Sequence, residues 1–369
     1  MLVEMNNMGF GEFIRVFPNN SDKFITIDCG SINKSKYKAI AFSKLSIDES
    51  IMITHLHDDH MNYFVEYAKK HGKFKKVYLP LITTNNNGFG FITILSKAII
   101  DWMLLKKSPI SYEKNFLNKI IQIRELFTKY SDIVFLHKGI KFKYGTLDID
   151  VLWPDSNLIV DFDKIYEIIK SEILLFLDNN NATIDNSYWE MITQIAKTNL
   201  DFYSGQLGNG ALKNKIEIYN ENLRKLKGIL IINKSKIIYK KAKANINDLS
   251  IVCEITENGK KALFTGDINY SRVKRMASKI GSSFSLENKD YALCKIPHHG
   301  TENYINCFKK VNANEFIVSN GDHKRYRIGK SINYYVNLEC TNGITNCNAA
   351  KKTCCSKHKC CRGTIIKVI

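Results

Sequence analysis

Thr54-His55-Leu56-His57-Asp58-Asp59-His60 follows directly on the short apolar run Ile51-Met52-Ile53, and its six residues from His55 to His60 hold three imidazoles and two carboxylates. A packed core has little use for neutral nitrogens and acidic oxygens side by side, whereas a divalent metal site needs both ligand types converging from a tight loop. If Ile51 to Ile53 end a strand, His55 and His57 fall on one side of the chain, where both reach a first metal. Asp59 and His60 lie past the bend and face a second metal, at the roughly 3.5–4 Å separation of two-metal hydrolases. Zinc-finger spacing does not look like this. Nor does the H-E-x-x-H helix of metalloproteases, because here the ligands follow a strand.

Three further stretches show the same design of an apolar strand delivering a ligand at its end. Phe24-Ile25-Thr26-Ile27-Asp28-Cys29-Gly30 carries Asp28 and Gly30 at its close, Ala262-Leu263-Phe264-Thr265-Gly266-Asp267 ends in Asp267, and Lys295-Ile296-Pro297-His298-His299-Gly300-Thr301 presents a histidine pair on a Pro/Gly turn. Together these motifs resemble the metallo-β-lactamase superfamily. The K-x-P-H-H-G-T run, the Asn247-Asp248-Leu249-Ser250 segment and the opening Met8-Gly9-Phe10-Gly11-Glu12-Phe13-Ile14 are similar to the soluble hydrolase domain of ComEC, the DNA-uptake protein, and its free-standing relatives. The resemblance touches islands between about residues 8 and 327, and hardly any of it falls within 61–245.

What the resemblance implies is an αββα four-layer metallo-β-lactamase sandwich and two divalent ions, zinc or manganese. Their ligands would be His55, His57, Asp59, His60, Asp267 and His298. Asp267 would bridge the ions, and Asp28 would brace the ligating imidazoles from behind. The superfamily's additional histidine between the first cluster and the bridging aspartate has only His71 and His137 to fill it, and both read as surface residues; Asn247 or Asp248 is the alternative ligand. Asp59 would hold the attacking water. His299 would meet the leaving oxygen or the phosphate, or serve as a brace. Thr301, Tyr304, His323 and Tyr326 are candidate substrate contacts, although the family's terminal histidine is replaced by Ile328.

Strand pattern occupies both ends of the chain, with helical pattern between. This is an α/β layout in which residues 1–330 form the hydrolase domain, with a helical insertion at about 157–227, and the Cys-rich basic segment 331–369 completes or caps it. In that segment Cys340, Cys347, Cys354, Cys355, His358, Cys360 and Cys361 crowd together, either as a structural zinc site or as plain thiols. No run of eighteen apolar residues and no basic leader with an apolar stretch is visible, so a free-standing cytoplasmic enzyme is expected.

The chain carries 54 Lys and Arg against 36 Asp and Glu, a formal charge of +18. Eight basic residues and no acid fall between Arg224 and Lys243. Such a balance favours polyanionic partners. The expected function is therefore a phosphodiesterase or nuclease acting on DNA or RNA through a metal-bridging hydroxide, and the resemblance implies protein partners in a bacterial defence or DNA-processing system. A small-molecule ester, thioester or lactone hydrolase of the same fold is the alternative, as is an inactive nucleic-acid-binding module.

Overall fold

Alternate residues of the first strands, Val3, Met5, Ile14, Val16, Ile25 and Ile27, are buried in one cluster with Leu147, Ile149, Val151, Cys253, Ile255, Ala262, Phe264, Leu293 and Ile317. Period-two burial of this kind on both partners is the pattern of two sheets packed face to face. The computed structural model describes residues 1–33, 35–81, 132–158, 246–320, 331, 334–335, 337–341, 359–360 and 364–369.

The strands are β1 (Leu2–Met5), β2 (Gly11–Phe17), β3 (Ile25–Ser31), β4 (Ser50–Met52), β5 (Lys76–Pro80), β6 (Asp132–Leu136), β7 (Lys141–Tyr144), β8 (Leu147–Trp153), β9 (Val252–Glu257), β10 (Lys260–Phe264), β11 (Asp290–Lys295), β12 (Asn312–Val318), β13 (Leu338–Cys340), β14 (Lys359–Cys360) and β15 (Ile365–Val368). One sheet runs β15-β1-β2-β3-β4-β5-β6 and the other β14-β13-β12-β11-β10-β9-β8-β7. Both are mixed: β15 to β3 and β7 to β10 pair antiparallel, while β3 to β6 and β10 to β14 pair parallel.

Helices flank the sheets: α1 (Lys38–Phe42), α2 (Asp58–His71), α3 (Tyr270–Lys279) and the short α4 (Glu302–Ile305). Asn62 ties α2 to β3, donating from Nδ2 to the Ser31 carbonyl at 2.7 Å and accepting from the Ser31 N–H at 3.2 Å. Beside the other sheet α3 buries Tyr270, Val273 and Ala277, and the rings of Tyr270 and Trp153 both meet Phe284. This is the αββα sandwich of the metallo-β-lactamase type that the motifs imply. No helix among the described residues is long and apolar enough to cross a membrane.

The chain divides into two units, Met1–Leu81 with Ser131–Ser156 and Asn245–Ile369, and Ile82–Tyr130 with Asn157–Ala244. The sandwich is the first. The helical insertion expected at about 157–227 lies outside the described residues, as does the basic stretch Arg224 to Lys243. Strand β1, helix α1 and the short β13 and β14 are elements for which the sequence pattern gives no expectation. They run from two to five residues, too short for a period to emerge.

Glu49, just before β4, is buried and accepts from the Ser46 N–H at 2.8 Å and the Thr26 hydroxyl at 2.7 Å. Burial pushes its carboxyl from 4.5 up to about 7, against the pull of those two hydrogen bonds. The folded state thus keeps the proton to higher pH than the unfolded chain. Its contribution is fully present below about 4.5 and is lost as pH climbs through about 7. Glu49→Gln should remove that slope: relative to wild type, the variant gains up to about 3 kcal/mol between pH 5 and 8. Urea denaturation across that range checks it, and parallel curves for the two proteins would rule it out.

Candidate metal centre

The site begins with one carboxylate. Asp28 in the middle of β3 takes φ 54°, and its side chain meets the loop after β4. There Oδ1 accepts from the Thr54 N–H at 2.7 Å, and Oδ2 from the Thr54 hydroxyl at 2.6 Å and from His60 Nδ1 at 2.7 Å. The backbone of the loop is held equally close. A Cβ built on Gly30 would lie 2.4 Å from the Asp58 carbonyl oxygen and 2.7 Å from the His60 nitrogen, so β3 passes under the first turn of α2 at a distance only glycine allows.

These contacts fix which nitrogens face inward. Ionised Asp28 can only accept, so His60 carries its proton on Nδ1 and turns the Nε2 lone pair to the centre. His299 donates from Nδ1 to the Ser319 carbonyl at 3.0 Å, and its Nε2 is directed the same way. In that centre His60 Nε2 lies 3.2 Å from Asp267 Oδ2 and 4.0 Å from Asp59 Oδ2; His299 Nε2 lies 3.3 Å from Asp59 Oδ2 and 3.7 Å from Asp267 Oδ2. Four ligands at 2.0–2.1 Å around a tetrahedral ion stand roughly 3.3 Å apart, which is close to this spacing. Alongside, Thr54 Oγ1 spends its proton on Asp28 and so accepts from His55 Nδ1 at 3.2 Å. That leaves His55 Nε2 and His57 Nδ1 facing one another at 3.1 Å.

Asp267 is oriented by the opposite sheet. Its N–H donates to the Ser250 hydroxyl at 3.1 Å, and Oδ1 accepts from the His298 N–H at 3.1 Å with Lys295 Nζ at 3.4 Å, so Oδ2 is the oxygen left for the centre. Gly266 before it takes φ +50°, and a Cβ there would stand 2.6 Å from the Ser250 Cβ.

Electrostatics follow from burial. Burial alone would push the carboxyls of Asp59 and Asp267 up. The hydrogen bond from His299 and the charge of His60 instead hold Asp59 well below the carboxylate range, and His60, His299 and Lys295 do the same for Asp267. Against burial, Asp267 with Asp28 raises His60, and Asp267 with Asp59 raises His299. The pocket thus attracts positive charge, and His55, buried next to His60 and His57, is lowered and stays neutral. A divalent cation would take the place of the protons that these imidazoles hold here, since imidazole nitrogens and ionised carboxylates sharing a buried pocket are its donor set. Glu12, His60, Asp267 and His299 each bring a donor atom within 4.8 Å of the others, forming a candidate metal cluster.

Glu12 and Lys295 have no counterpart among the expected site residues. Lys295 is 1% exposed; its Nζ donates to the Gly266 carbonyl at 2.8 Å and lies 3.1 Å from Glu12 Oε2. Burial pushes the ammonium down, but Glu12 and Asp267 more than offset it. Glu12 stands behind His299, 3.9 Å from Nδ1, and burial raises its carboxyl. The signal was legible. A lysine at the end of the apolar strand Tyr291-Ala292-Leu293-Cys294-Lys295 demands a buried partner.

Of the other expected residues, His298 is braced against Tyr304 and Thr301 at the edge of the cluster. Asn247 Nδ2 donates to the Tyr304 hydroxyl at 3.3 Å, while Asp248 Oδ2 accepts from Arg272 Nη1 at 2.9 Å. His71 is exposed at the end of α2, stacked on Tyr67, and His137 donates to the Lys138 carbonyl. Cys340 is buried in β13, and the backbone of Cys360 pairs with it in β14. His323, Tyr326, Cys347, Cys354, Cys355, His358 and Cys361 lie outside the described residues.

No protein-family model matches the chain, and no curated protein does. Solved structures do. Zinc-bound PqqB from Methylobacterium extorquens is similar over 100% of both chains, at 6% identity and a TM-score of 0.44. The metallo-β-lactamase fold protein YhfI from Bacillus subtilis is similar over 99% of this chain and 98% of its own, at 10% identity and 0.37. A mutant CmlA β-hydroxylase is similar at 9% identity and 0.40; the chain spans 54% of it, about half its length. At these identities the likeness concerns the fold alone, and no activity is carried across.

Two variants test the geometry. Gly30→Ala should push the first turn of α2 off Asp28 and weaken metal binding by at least about tenfold, with the far-ultraviolet circular dichroism retained; wild-type affinity in a chelator competition would contradict the close approach. Lys295→Met should cost about 3–5 kcal/mol by stranding Glu12, and adding Glu12→Gln should restore most of it. Additive losses in urea denaturation would show that the two side chains do not act as a pair.

Proposed function

We propose that this protein is a binuclear metal-dependent hydrolase whose substrate is a phosphodiester of DNA or RNA. The observation that carries the reading is the convergence of Asp59, His60, Asp267 and His299 at single-ion spacing, with the His55 and His57 nitrogens paired beside them. When bound, two divalent ions act as Lewis acids on a phosphoryl oxygen and bring the pKa of a bound water toward about 7.

The chain supplies the rest. Asp28 locks the tautomer of His60 and, through Thr54, that of His55, so the donors are aligned before anything binds. Asp267 is held by one oxygen and offers the other to the centre. Asp59, ionised and at the first turn of α2, is placed to orient the attacking water. Lys295 neutralises Glu12 and keeps a fixed positive charge beside Asp267, which limits the negative charge that the centre presents to a phosphate. The excess of Lys and Arg, a formal +18, favours a polyanion over a neutral ester or lactone.

The test pairs metal content by mass spectrometry with cleavage of labelled single-stranded DNA, for wild type and Asp59→Ala/His60→Ala. About two ions per chain in wild type, and loss of both an ion and at least about 100-fold of the rate in the variant, are expected. The rate should also fall as salt rises from 50 to 200 mM, since phosphate contacts release counterions. Two ions without cleavage of DNA or RNA would turn the reading toward a small-molecule hydrolase.

A further inference from the structure

We propose that the two adjacent histidines of the last motif divide the work: His299 gives its Nε2 to the metal pair, and His298 meets the phosphoryl group of the substrate from a platform made by Tyr304. The inference rests on the phosphodiesterase reading and assigns a substrate contact within that site.

The backbone sends these two histidines apart. His298 and His299 take φ 48° and 52°, and their rings stand 6.0 Å apart, inclined at 53°. His299 goes inward. It is 0% exposed, covered by Phe10 at 4.2 Å and held by the Ser319 carbonyl, so Nε2 is left facing Asp59 and Asp267.

His298 stays at the lip and keeps part of its surface in solvent. Its N–H is bound to Asp267, so it starts from the edge of the cluster. The ring lies flat on Tyr304, 3.9 Å between centroids and 8° between planes, and Nδ1 is 2.7 Å from the Thr301 hydroxyl. The Tyr304 hydroxyl in turn receives Asn247. Stack and hydrogen bond together fix both the plane and the rotation of the imidazole, while Nε2 has no hydrogen-bond partner among the described residues.

A side chain held this firmly, with one nitrogen unpartnered among the described residues beside the candidate metal cluster, fits a donor to an anionic oxygen. With the Thr301 hydroxyl donating to Nδ1, the proton sits on Nε2 and can be given as a hydrogen bond to a phosphoryl oxygen. Negative charge on such oxygens shifts as the phosphodiester is attacked, so a donor fixed in advance counts most in the transition state. Tyr304 does not touch the substrate in this arrangement; it is a positioning residue acting through His298.

The test uses the metal-loaded full chain and three readouts: ions per chain, affinity for inorganic phosphate by calorimetry, and kcat against KM on single-stranded DNA. His298→Gln is expected to keep the wild-type metal content, weaken phosphate binding by about tenfold and lower kcat by more than it raises KM. His299→Gln should lose about one ion per chain. Tyr304→Leu, which removes the stack, should move phosphate affinity and kcat in the direction of His298→Gln with metal content unchanged. An ion lost from His298→Gln and kept by His299→Gln would overturn the division of roles. So would unchanged phosphate affinity in His298→Gln. A wild type that binds two ions and phosphate but cleaves no nucleic acid would overturn the phosphodiesterase reading instead, and metal content and phosphate affinity would still decide between the histidines.

Discussion

Four carboxylates, the buried Glu12, Asp28 and Asp267 and the half-buried Asp59, surround one small pocket, and the surrounding architecture makes that arrangement tolerable. Burying an ionised carboxylate away from water is costly unless it is paired and hydrogen-bonded. Each of the four meets the requirement differently. Asp28 accepts three hydrogen bonds from the metal loop, Glu12 is answered by Lys295, and Asp267 by a backbone N–H and the same lysine. Asp59 and the inward oxygen of Asp267 are met by imidazole nitrogens, which is where a cation is the better partner.

The sandwich distributes these groups between its two sheets. Asp28 and the histidine loop hang from the parallel part of the seven-stranded sheet, and Glu12 from β2 next to it. Asp267, Lys295 and the histidine pair come from the ends of β10 and β11 in the eight-stranded sheet. A pocket lined from both sheets exists only when the apolar faces between them are fully packed, so the core of Val3, Ile14, Ile27, Val151, Phe264 and Leu293 is as much a condition of the site as the ligands are. The glycines serve the same end: Gly30 lets α2 approach β3, and Gly266 turns the chain so that Asp267 points into the gap.

Much of the fold could be read from the chain because long-range order rests here on local pattern. Alternation marks β8, short apolar runs buried almost throughout mark β2, β3 and β9, and a 3.6-residue period marks α2 and α3, at positions close to those observed. Short elements escaped, since β1, α1 and β13 carry too few residues for a period to show and are held by their neighbours instead. The aspartate and histidine motifs were legible for a similar reason: each is a strand end followed by a turn, and its chemistry is local.

The sequence by itself determined the donor inventory, the strands that deliver it and the positive charge of the chain. Only the tertiary structure decided which atoms converge. Asp248 resembles a ligand on paper but is bound to Arg272, and Lys295 looks like an ordinary motif residue but is buried against Glu12. His298 and His299 are indistinguishable as letters, yet two successive left-handed residues send one ring into the cluster and the other onto Tyr304. The physical reason is that a side chain's direction depends on its own φ and on what packs against it from distant strands, and neither is encoded in the spacing of the residues that carry the chemistry.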